Sequence, residues 1–233
     1  MTITSPHNPH LKEIRKLARR RTREREGRFV AEGEDLLAAA DAAGWSALER
    51  YCAAGSGLPG TEVAPEALRA VSALGSGTRT LAVYAQRYAA PAGPLCVALW
   101  GIADPGNVGT VLRSAAAFGA AGVALGPGCA DPYGPKAVRA SMGAIFAVPV
   151  ARVDDPSELP GERVALVAHQ GEPLRALAPA GDVSVLVGAE REGLPERVVA
   201  ACDRVANIPI ATESLNAAMA ATIALYELRM PRQ

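Results

Sequence analysis

Three short segments of this 233-residue chain place polar side chains beside glycine or proline, shortly after apolar runs that resemble strands. The first holds Asn107 and Arg113, the second holds Glu190, and the third holds Ser214 and Asn216. Amide, guanidinium, carboxylate and hydroxyl groups bind and orient polar ligands. Because parallel sheets bind ligands outside the carboxyl ends of their strands, we expect the three segments to face one cleft.

The first segment is typical of a helix start. Asp104 or Asn107 is a candidate N-cap, the Pro-Gly pair between them suits a first turn, and Gly119 is expected to end the helix. Residues six apart do not share a face of one helix. If Asn107 belongs to the preceding loop, however, Arg113 can extend from the first turns of the helix toward the same cleft. The alternative is a capping asparagine and a solvated arginine.

The other two segments also admit purely structural interpretations. Gly188 and Gly193 allow the backbone on either side of Glu190 to turn close to a ligand. Ser214 is expected to be the N-cap of the last helix. Asn216, a poor helix former two residues further on, is expected to face the cleft. The functional interpretation depends on the three segments occurring together.

Common nucleotide and zinc motifs do not occur in the sequence. There is no GxxxxGKS/T, and the glycines at 126 and 128 lack the third glycine of a dinucleotide-binding turn. These absences argue against a phosphate-binding NTPase and a dinucleotide oxidoreductase. The cysteines and histidines lack metal-ligand spacing, so we predict no metal site and reduced thiols; these residues are Cys52, Cys96, Cys129, Cys202, His7, His10 and His169.

The net charge of zero conceals an uneven distribution. Residues 1–28 contain nine lysines and arginines but three glutamates, so the rest of the chain carries the opposite surplus of six. Clustered cations gain free energy from counterion release on a phosphate backbone, which predicts a nucleic-acid partner. A solvated helical face with local ion pairs is the alternative. The predicted RNA-contacting side chains are Lys12, Arg15, Lys16, Arg19, Arg20, Arg21, Arg23 and Arg139.

The first part of the chain has the pattern of a small α/β domain. The predicted elements are a helix over 8–28, a strand at 29–31, a helix over 34–43 and a strand near 81–84. The apolar face of the first helix is expected to comprise Leu11, Ile14, Leu17 and Ala18. Residues 88–94 have linker composition, so we place domains at 1–90 and 94–233.

The second domain alternates apolar strand-like runs with helical segments. Its predicted strands are 95–100, 122–125, 145–150, 164–168, 183–187 and 205–210. Continuous apolar strands between helices indicate a mostly parallel sheet covered on both faces, so the fold class is α/β. No apolar run approaches the ~20 residues of a membrane-spanning helix, and we expect a cytoplasmic protein.

Three motifs follow one another in the second domain. They are Asp-Pro-Gly-Asn-Val-Gly at 104–109 with Arg113 and Phe-Gly at 118–119, Leu-Val-Gly-Ala-Glu at 186–190 with Gly-Leu at 193–194, and Ile-Pro-Ile at 208–210 with Ser-Leu-Asn at 214–216. In order and spacing they resemble the SpoU family of RNA ribose methyltransferases, within the SPOUT superfamily. The resemblance covers about residues 94–230, and residues 136–144 resemble the family region between the first two motifs. Residues 5–85 resemble, more loosely, a substrate-binding domain.

The resemblance implies a trefoil knot near the C-terminus and a homodimer whose interface builds the site. It also implies S-adenosylmethionine as the cofactor, bound in the knot. The cofactor-binding positions that it implies are Gly188, Ile208 and Leu215 through their backbone groups, with Leu186, Pro209 and Asn216 nearby. The catalytic side chains that it implies are Asn107, Arg113, Glu190, Ser214 and Asn216.

The implied reaction moves the sulfonium methyl group to a ribose 2′-hydroxyl and leaves S-adenosylhomocysteine. The family mechanism makes Arg113 the general base, although an arginine with a pKa above ~12 seldom releases its proton. We expect Arg113 to position the phosphate and ribose, to lower the hydroxyl pKa and to relay the proton. Asn107 and Ser214 would orient Arg113 or the ribose. Glu190 and Asn216 would shape the surrounding loops.

Two other functions remain open, namely a non-catalytic RNA-binding module and a methyltransferase that acts on a base nitrogen. Within ribose methylation, the N-terminal domain favours ribosomal over transfer RNA, because a separate domain suits recognition of a structured loop. The sequence departs from the family at Ala189, where Asn is frequent, and at Ile210, where Met is frequent. Neither departure removes a reactive group.

Overall fold

The computed structural model describes residues 2–73 and 77–229. The helices are α1 (Pro9–Lys16), α2 (Arg20–Glu26), α3 (Glu34–Ala42), α4 (Pro65–Arg69), α5 (Pro105–Ala117), α6 (Pro135–Ala140), α7 (Ala144–Ala147), α8 (Glu196–Ala200) and α9 (Ala217–Leu228). The strands are β1 (Arg28–Glu32), β2 (Glu49–Ala53), β3 (Thr61–Val63), β4 (Thr80–Ala85), β5 (Leu95–Leu99), β6 (Gly122–Leu125), β7 (Val150–Arg152), β8 (Glu162–Leu166), β9 (Glu172–Pro173), β10 (Val183–Val187) and β11 (Arg204–Asn207).

The chain forms two compact units. The first unit comprises the residues up to Gln86 together with Asp131–Ala147, and the second comprises Arg87–Ala130 and the residues from Val148 onwards. A boundary near residue 90 would leave residues 131–147 in the second domain. The structure places this segment in the first unit, and the packing of the first sheet gives the reason.

The first unit is built on a four-stranded sheet of order β1-β4-β2-β3. Strand β4 is antiparallel to β1 and β2, and β3 is parallel to β2. Side chains alternate between the faces of a strand, so Leu81 and Val83 of β4 point to one face and Tyr84 to the other. Helices α1 and α4 cover the first face, in a core formed by Leu11, Ile14, Leu17, Tyr51, Val63, Ala67, Leu68, Val71, Leu81 and Val83.

An aromatic cluster covers the other face of this sheet. Phe29, Trp45 and Tyr84 pack there with Tyr133 and Phe146, whose rings come from the segment 131–147. The centroids of Phe29 and Tyr133 lie 4.6 Å apart, and Trp45 Nε1 donates a hydrogen bond of 2.8 Å to the carbonyl of Phe146. The segment therefore completes the core of the first unit.

The strand predicted over 145–150 is wrong at every residue except Val150. Residues 144–147 form α7, and β7 begins only at Val150. The side chains of Ile145 and Phe146 are buried in the first unit. A continuous apolar run predicts burial equally for a strand and for a short helix, so its periodicity could not separate the two.

The basic N-terminal stretch forms two helices rather than the single predicted helix. Leu11, Ile14 and Leu17 are buried as predicted, whereas Ala18 is exposed in the break between α1 and α2. Arg23 Nη1 donates to the carbonyls of Leu17 and Ala18 at 2.7 and 2.8 Å. In a continuous helix these carbonyls would accept hydrogen bonds from backbone N–H groups. At the break the Arg23 guanidinium is the donor instead.

The assignment of Arg23 to the RNA-contacting set is also wrong. Its side chain is buried, and its Nε donates to Asp131 Oδ2 at 2.8 Å. Nη2 lies 2.7 Å from the same oxygen, and both side chains are 5% exposed. A buried charge needs a partner of opposite sign, and here Arg23 neutralises the carboxylate that begins the segment 131–147.

The second unit contains a seven-stranded sheet of order β7-β6-β5-β10-β8-β11-β9. Every neighbouring pair is parallel, which confirms the predicted parallel sheet. All residues of the adjacent strands β5 and β10 are buried. Helix α9 packs on α5, β5 and β10. Among the described residues, no helix is both long and apolar enough to cross a membrane.

Arg23→Met should lower the free energy of unfolding by about 3 kcal/mol, because it leaves the Asp131 carboxylate buried without a counter-charge. Urea denaturation followed by circular dichroism measures the change. The matched control is Arg20→Met, since Arg20 pairs with Glu24 on the exposed face of the same helix, and its effect should stay below about 1 kcal/mol. Equal effects of the two substitutions would contradict the structural role of Arg23.

Candidate active site

The first polar segment begins α5. Of the two candidate N-caps, Asp104 and Asn107, the structure shows Asp104 as the N-cap. Its Oδ1 accepts a hydrogen bond from Gly106 N at 2.5 Å. Gly119, with φ of +69°, follows the C-cap at the other end. Asn107 lies in the first turn of α5, partly buried. Arg113 lies further along the helix, where its side chain is exposed.

The three polar segments meet at one carboxylate oxygen. Asn107 Nδ2 donates to Glu190 Oε1 at 2.8 Å, and Asn216 Nδ2 donates to the same oxygen at 2.5 Å. Asn216 Nδ2 also lies 3.2 Å from Asn107 Oδ1. The structure thus brings Asn107, Glu190 and Asn216 together. In the described part of the chain, neither a hydrogen bond nor an ion pair connects Arg113 or the Ser214 side chain to this cluster.

Asn216 also caps the last helix. Its Oδ1 accepts from Ala218 N at 3.0 Å and Met219 N at 3.2 Å, so Asn216 is the N-cap of α9. The prediction that Ser214 caps this helix is wrong, because α9 begins only at Ala217. The capping bonds fix the carbonyl end of the Asn216 amide, which turns the amino end toward Glu190.

A cavity of about 300 Å³ lies beside this cluster, between the segments that follow β8, β10 and β11. Its walls include Gly188, Ile208 and Leu215, three of the predicted cofactor-binding positions, and Glu190 and Ser214 also line it.

Three other predicted cofactor-binding residues are not among the described lining residues of this cavity: Leu186, Pro209 and Asn216. Leu186 is fully buried and packs with Trp100 and Val198 in the core beneath the cavity loops. The structure therefore supports Leu186 as part of the core and not of the cavity wall.

The turn from Gly188 to Gly193 forms one wall of the cavity and needs glycine at its base. A Cβ on Gly188 would lie 2.1 Å from the carbonyl carbon of Gly193. Ala189 and Gly193 exchange two backbone hydrogen bonds, of 2.9 and 3.2 Å, and Gly193 has φ of +67°. This close backbone approach holds Glu190 at the tip of a tight turn.

One residue of the cavity region was missed by the sequence interpretation. His169 follows the lining residue Ala168, has φ of +58°, and places Nε2 3.2 Å from the carbonyl oxygen of Glu213, another lining residue. It thereby connects the segment after β8 to the segment before α9. A histidine directly after the predicted strand 164–168 and two residues before Gly171 could have indicated a left-handed turn. The described residues contain no metal-ligand cluster.

Most of the predicted RNA-contacting cations are exposed on the first unit. On α1 and just beyond it, four of them surround a shallow depression of about 250 Å³: Lys12, Arg15, Lys16 and Arg19. Lys16 pairs with Glu13 at 2.7 Å. Arg20 and Arg21 are exposed on α2, and Arg139 is exposed on α6.

Comparison with known families and proteins gives a consistent result. Residues 94–226 match the SpoU rRNA Methylase family, and residues 8–88 match the MRM3-like substrate binding domain. An uncharacterized tRNA/rRNA methyltransferase of Synechocystis is 30% identical, over 98% of this chain and 93% of its own length. The chain is 38% identical to a 23S rRNA (uridine(2479)-2′-O)-methyltransferase of Streptomyces viridochromogenes, over 53% of the chain.

The chain spans about half the length of the Streptomyces protein and of several other curated relatives that it matches. Among solved structures, the AdoMet-bound rRNA methyltransferase of Sinorhizobium meliloti superimposes with a TM-score of 0.89 and 30% identity. This superposition covers 98% of the chain and 97% of the S. meliloti protein.

Gly188→Ala should lower the free energy of unfolding by about 2 kcal/mol, because the added methyl group forces the turn at 188–193 away from its own backbone. Gly181→Ala is the matched control in the same unit, since a Cβ at position 181 meets no atom within 4 Å. Urea denaturation of both variants measures the difference. A Gly188→Ala protein as stable as the control would contradict the close approach.

Asn216→Ala should cost about 1 kcal/mol of stability through loss of the α9 cap alone, and more through loss of the donor to Glu190. Asn216→Asp keeps the capping acceptor but replaces that donor with a second carboxylate beside Glu190, so it disrupts the cluster while the cap is retained. Thermal unfolding of both, with Thr212→Ala in the exposed preceding loop as control, provides the measurement. Equal stability of Asn216→Ala and wild type would contradict both roles.

Proposed function

The chain belongs to the SpoU rRNA methylase family, and from this membership we propose that it transfers a methyl group from S-adenosylmethionine to a ribose 2′-hydroxyl of RNA. The observation that carries the proposal is the meeting of Asn107, Glu190 and Asn216 beside a cavity lined by the second and third motifs. The name of the Streptomyces relative, a 23S rRNA 2′-O-methyltransferase, supports the proposal.

The cavity suits S-adenosylmethionine in size and chemistry. Small-molecule sites are concave and largely apolar with a few placed polar groups. Ile208, Leu215 and Ala220 supply apolar wall, and Gly188 lines the cavity without a side chain of its own. Backbone groups of Gly188, Ile208 and Leu215 would hold the cofactor. When bound, it supplies an electrophilic methyl group.

Arg113 is assigned to the RNA side of the reaction. The side chain is exposed on α5, and no carboxylate pairs with it in the described residues. A guanidinium binds phosphate through two parallel hydrogen bonds, so Arg113 would position the phosphate and ribose and lower the pKa of the 2′-hydroxyl. As the methyl group is transferred, Arg113 would relay the proton of the 2′-hydroxyl to the substrate phosphate or to water.

The hydrogen bonds of the Asn107 side chain are made with the cluster and not with Arg113. Both ends of its amide are engaged, by Glu190 and by Asn216. Its proposed role is therefore to hold the start of α5 against the other two motifs. Ser214 lines the cavity and would orient the ribose or the cofactor there.

A homodimer is part of the proposal, and an apolar patch on α9 supports it. Met219 and Tyr226 lie seven positions apart on one face of this helix and are 62% and 52% exposed. The Tyr226 ring packs edge-on against Phe118 of α5, and Arg229 lies 4.0 Å from its centroid. Exposed apolar patches rimmed by polar groups mark interaction sites. A second copy of the chain would cover this face.

The trefoil knot, the preference for ribosomal RNA and action in the cytoplasm also belong to the proposal. The return of α9 from the end of β11 to the central strands β5 and β10 is consistent with a knotted C-terminus. The match of residues 8–88 to a substrate-binding domain, and the exposed cations of α1, favour a structured RNA such as ribosomal RNA.

Arg113→Ala should keep S-adenosylmethionine affinity, measured by calorimetry, but lower methyl transfer to ribosomal RNA about 100-fold or more. Arg197→Ala, an exposed arginine on α8, is the control that should retain activity. Nuclease digestion and mass spectrometry of the wild-type product should yield a 2′-O-methyl nucleoside. A base-methylated product would favour the base-directed alternative, and failure of wild type to bind the cofactor would favour the non-catalytic one. Unchanged turnover of Arg113→Ala would refute the role of Arg113.

A further inference from the structure

The turn between α6 and α7 presents a large apolar side chain to solvent. Met142 is 56% exposed and has φ of +49°, a left-handed conformation that is unfavourable for a methionine. The following Gly143 has φ of +91°, and a Cβ there would lie 2.5 Å from the Ala39 methyl carbon. The backbone is thus fixed against α3, and Met142 is held outward at a cost in free energy.

Hydrogen bonds within the chain fix the conformation of this turn. Ser141 is fully buried, and its hydroxyl donates to the carbonyl of Val138 at 2.7 Å and accepts from Ile145 N at 3.4 Å. Met142 N donates to the carbonyl of Arg139 at 3.1 Å. A strained, exposed apolar residue on a well-supported turn indicates a contact made with another molecule.

The charges next to Met142 indicate an anionic partner. Lys136 and Arg139 are exposed one turn apart on α6, directly before Met142. Helix α6 begins beside α2, since a Cβ on Gly134 would lie 3.4 Å from Arg23 Nη2. The cations of α6 therefore belong to the same unit as those of α1 and α2, and residues 8–88 of this unit match a substrate-binding domain.

We propose that α6 and the Met142 turn extend the RNA-contacting surface of the first unit, with Met142 packed against an unpaired base and Lys136 and Arg139 on the flanking phosphates. Nucleic-acid-binding proteins insert methionine and other apolar side chains between bases, and bases in RNA loops are open to such contacts. The inference rests on the proposed function. Beyond that function, it states that a segment between the first two methyltransferase motifs contacts the RNA.

Two substitutions of similar size separate the apolar contact from the backbone conformation. Met142→Leu keeps an apolar side chain, whereas Met142→Asn tolerates the left-handed conformation but is polar. The probe is unmodified large-subunit ribosomal RNA transcribed in vitro, bound to the full chain at several salt concentrations. Leu48→Asn is the matched control, because Leu48 is 54% exposed on the same unit.

Met142→Asn should weaken RNA binding about tenfold with an unchanged salt slope, and Met142→Leu should stay within about twofold of wild type. Arg139→Gln should weaken binding and reduce the salt slope by about one. Leu48→Asn should bind like wild type. Thermal unfolding should show Met142→Asn to be at least as stable as wild type, because asparagine relieves the left-handed strain.

Wild-type affinity in both Met142→Asn and Arg139→Gln would overturn the inference and leave the proposed function intact. Equal weakening by Leu48→Asn would overturn it as well. If wild type itself binds S-adenosylmethionine but not ribosomal RNA, both the inference and the choice of ribosomal RNA fail, and the cofactor assignment stands.

Discussion

A single carboxylate oxygen, Glu190 Oε1, holds the candidate site together by accepting the amides of Asn107 and Asn216. The three residues come from the start of α5, the turn after β10 and the cap of α9. Each arrives there for a local reason: the cap at Asp104 sets the start of α5, the close approach at Gly188 folds the turn, and Asn216 caps its own helix. The hydrogen bonds of this cluster connect three segments that lie far apart in the sequence, so the loss of any one member removes the connections that it makes.

The core of the first unit likewise depends on residues that are distant in the sequence. Its sheet is covered on one face by α1 and α4, and on the other by aromatic side chains that include Tyr133 and Phe146. These two rings come from a segment that lies between the first and second methyltransferase motifs in the sequence. The chain consequently passes between the units three times, after Gln86, Ala130 and Ala147. The buried Arg23–Asp131 pair secures the segment within the first unit.

The parts of the fold that could be predicted are those with a strong local signal. The strand at 183–187 was predicted to the residue, the parallel sheet followed from its apolar runs, and the motif residues pointed to the correct edge of that sheet. The wrong predictions for Arg23 and for the start of α9 have a common cause. Both depend on tertiary structure, which a local sequence pattern does not specify. Arg23 looks like a solvated cation until Asp131 is known to face it, and Asn216 looks like a helix interior residue until α9 is seen to begin after it.

The central claim is that the second and third motifs form the cofactor cavity and that the Asn107–Glu190–Asn216 cluster orders it. A crystal structure of the full chain with S-adenosylhomocysteine tests this most directly. We expect electron density for the ligand between the turn at 188–193 and residues 208–217, with hydrogen bonds to the backbone at Gly188, Ile208 or Leu215. Density at another site, or a ligand bound in this cavity with Glu190 released from both amides, would contradict it.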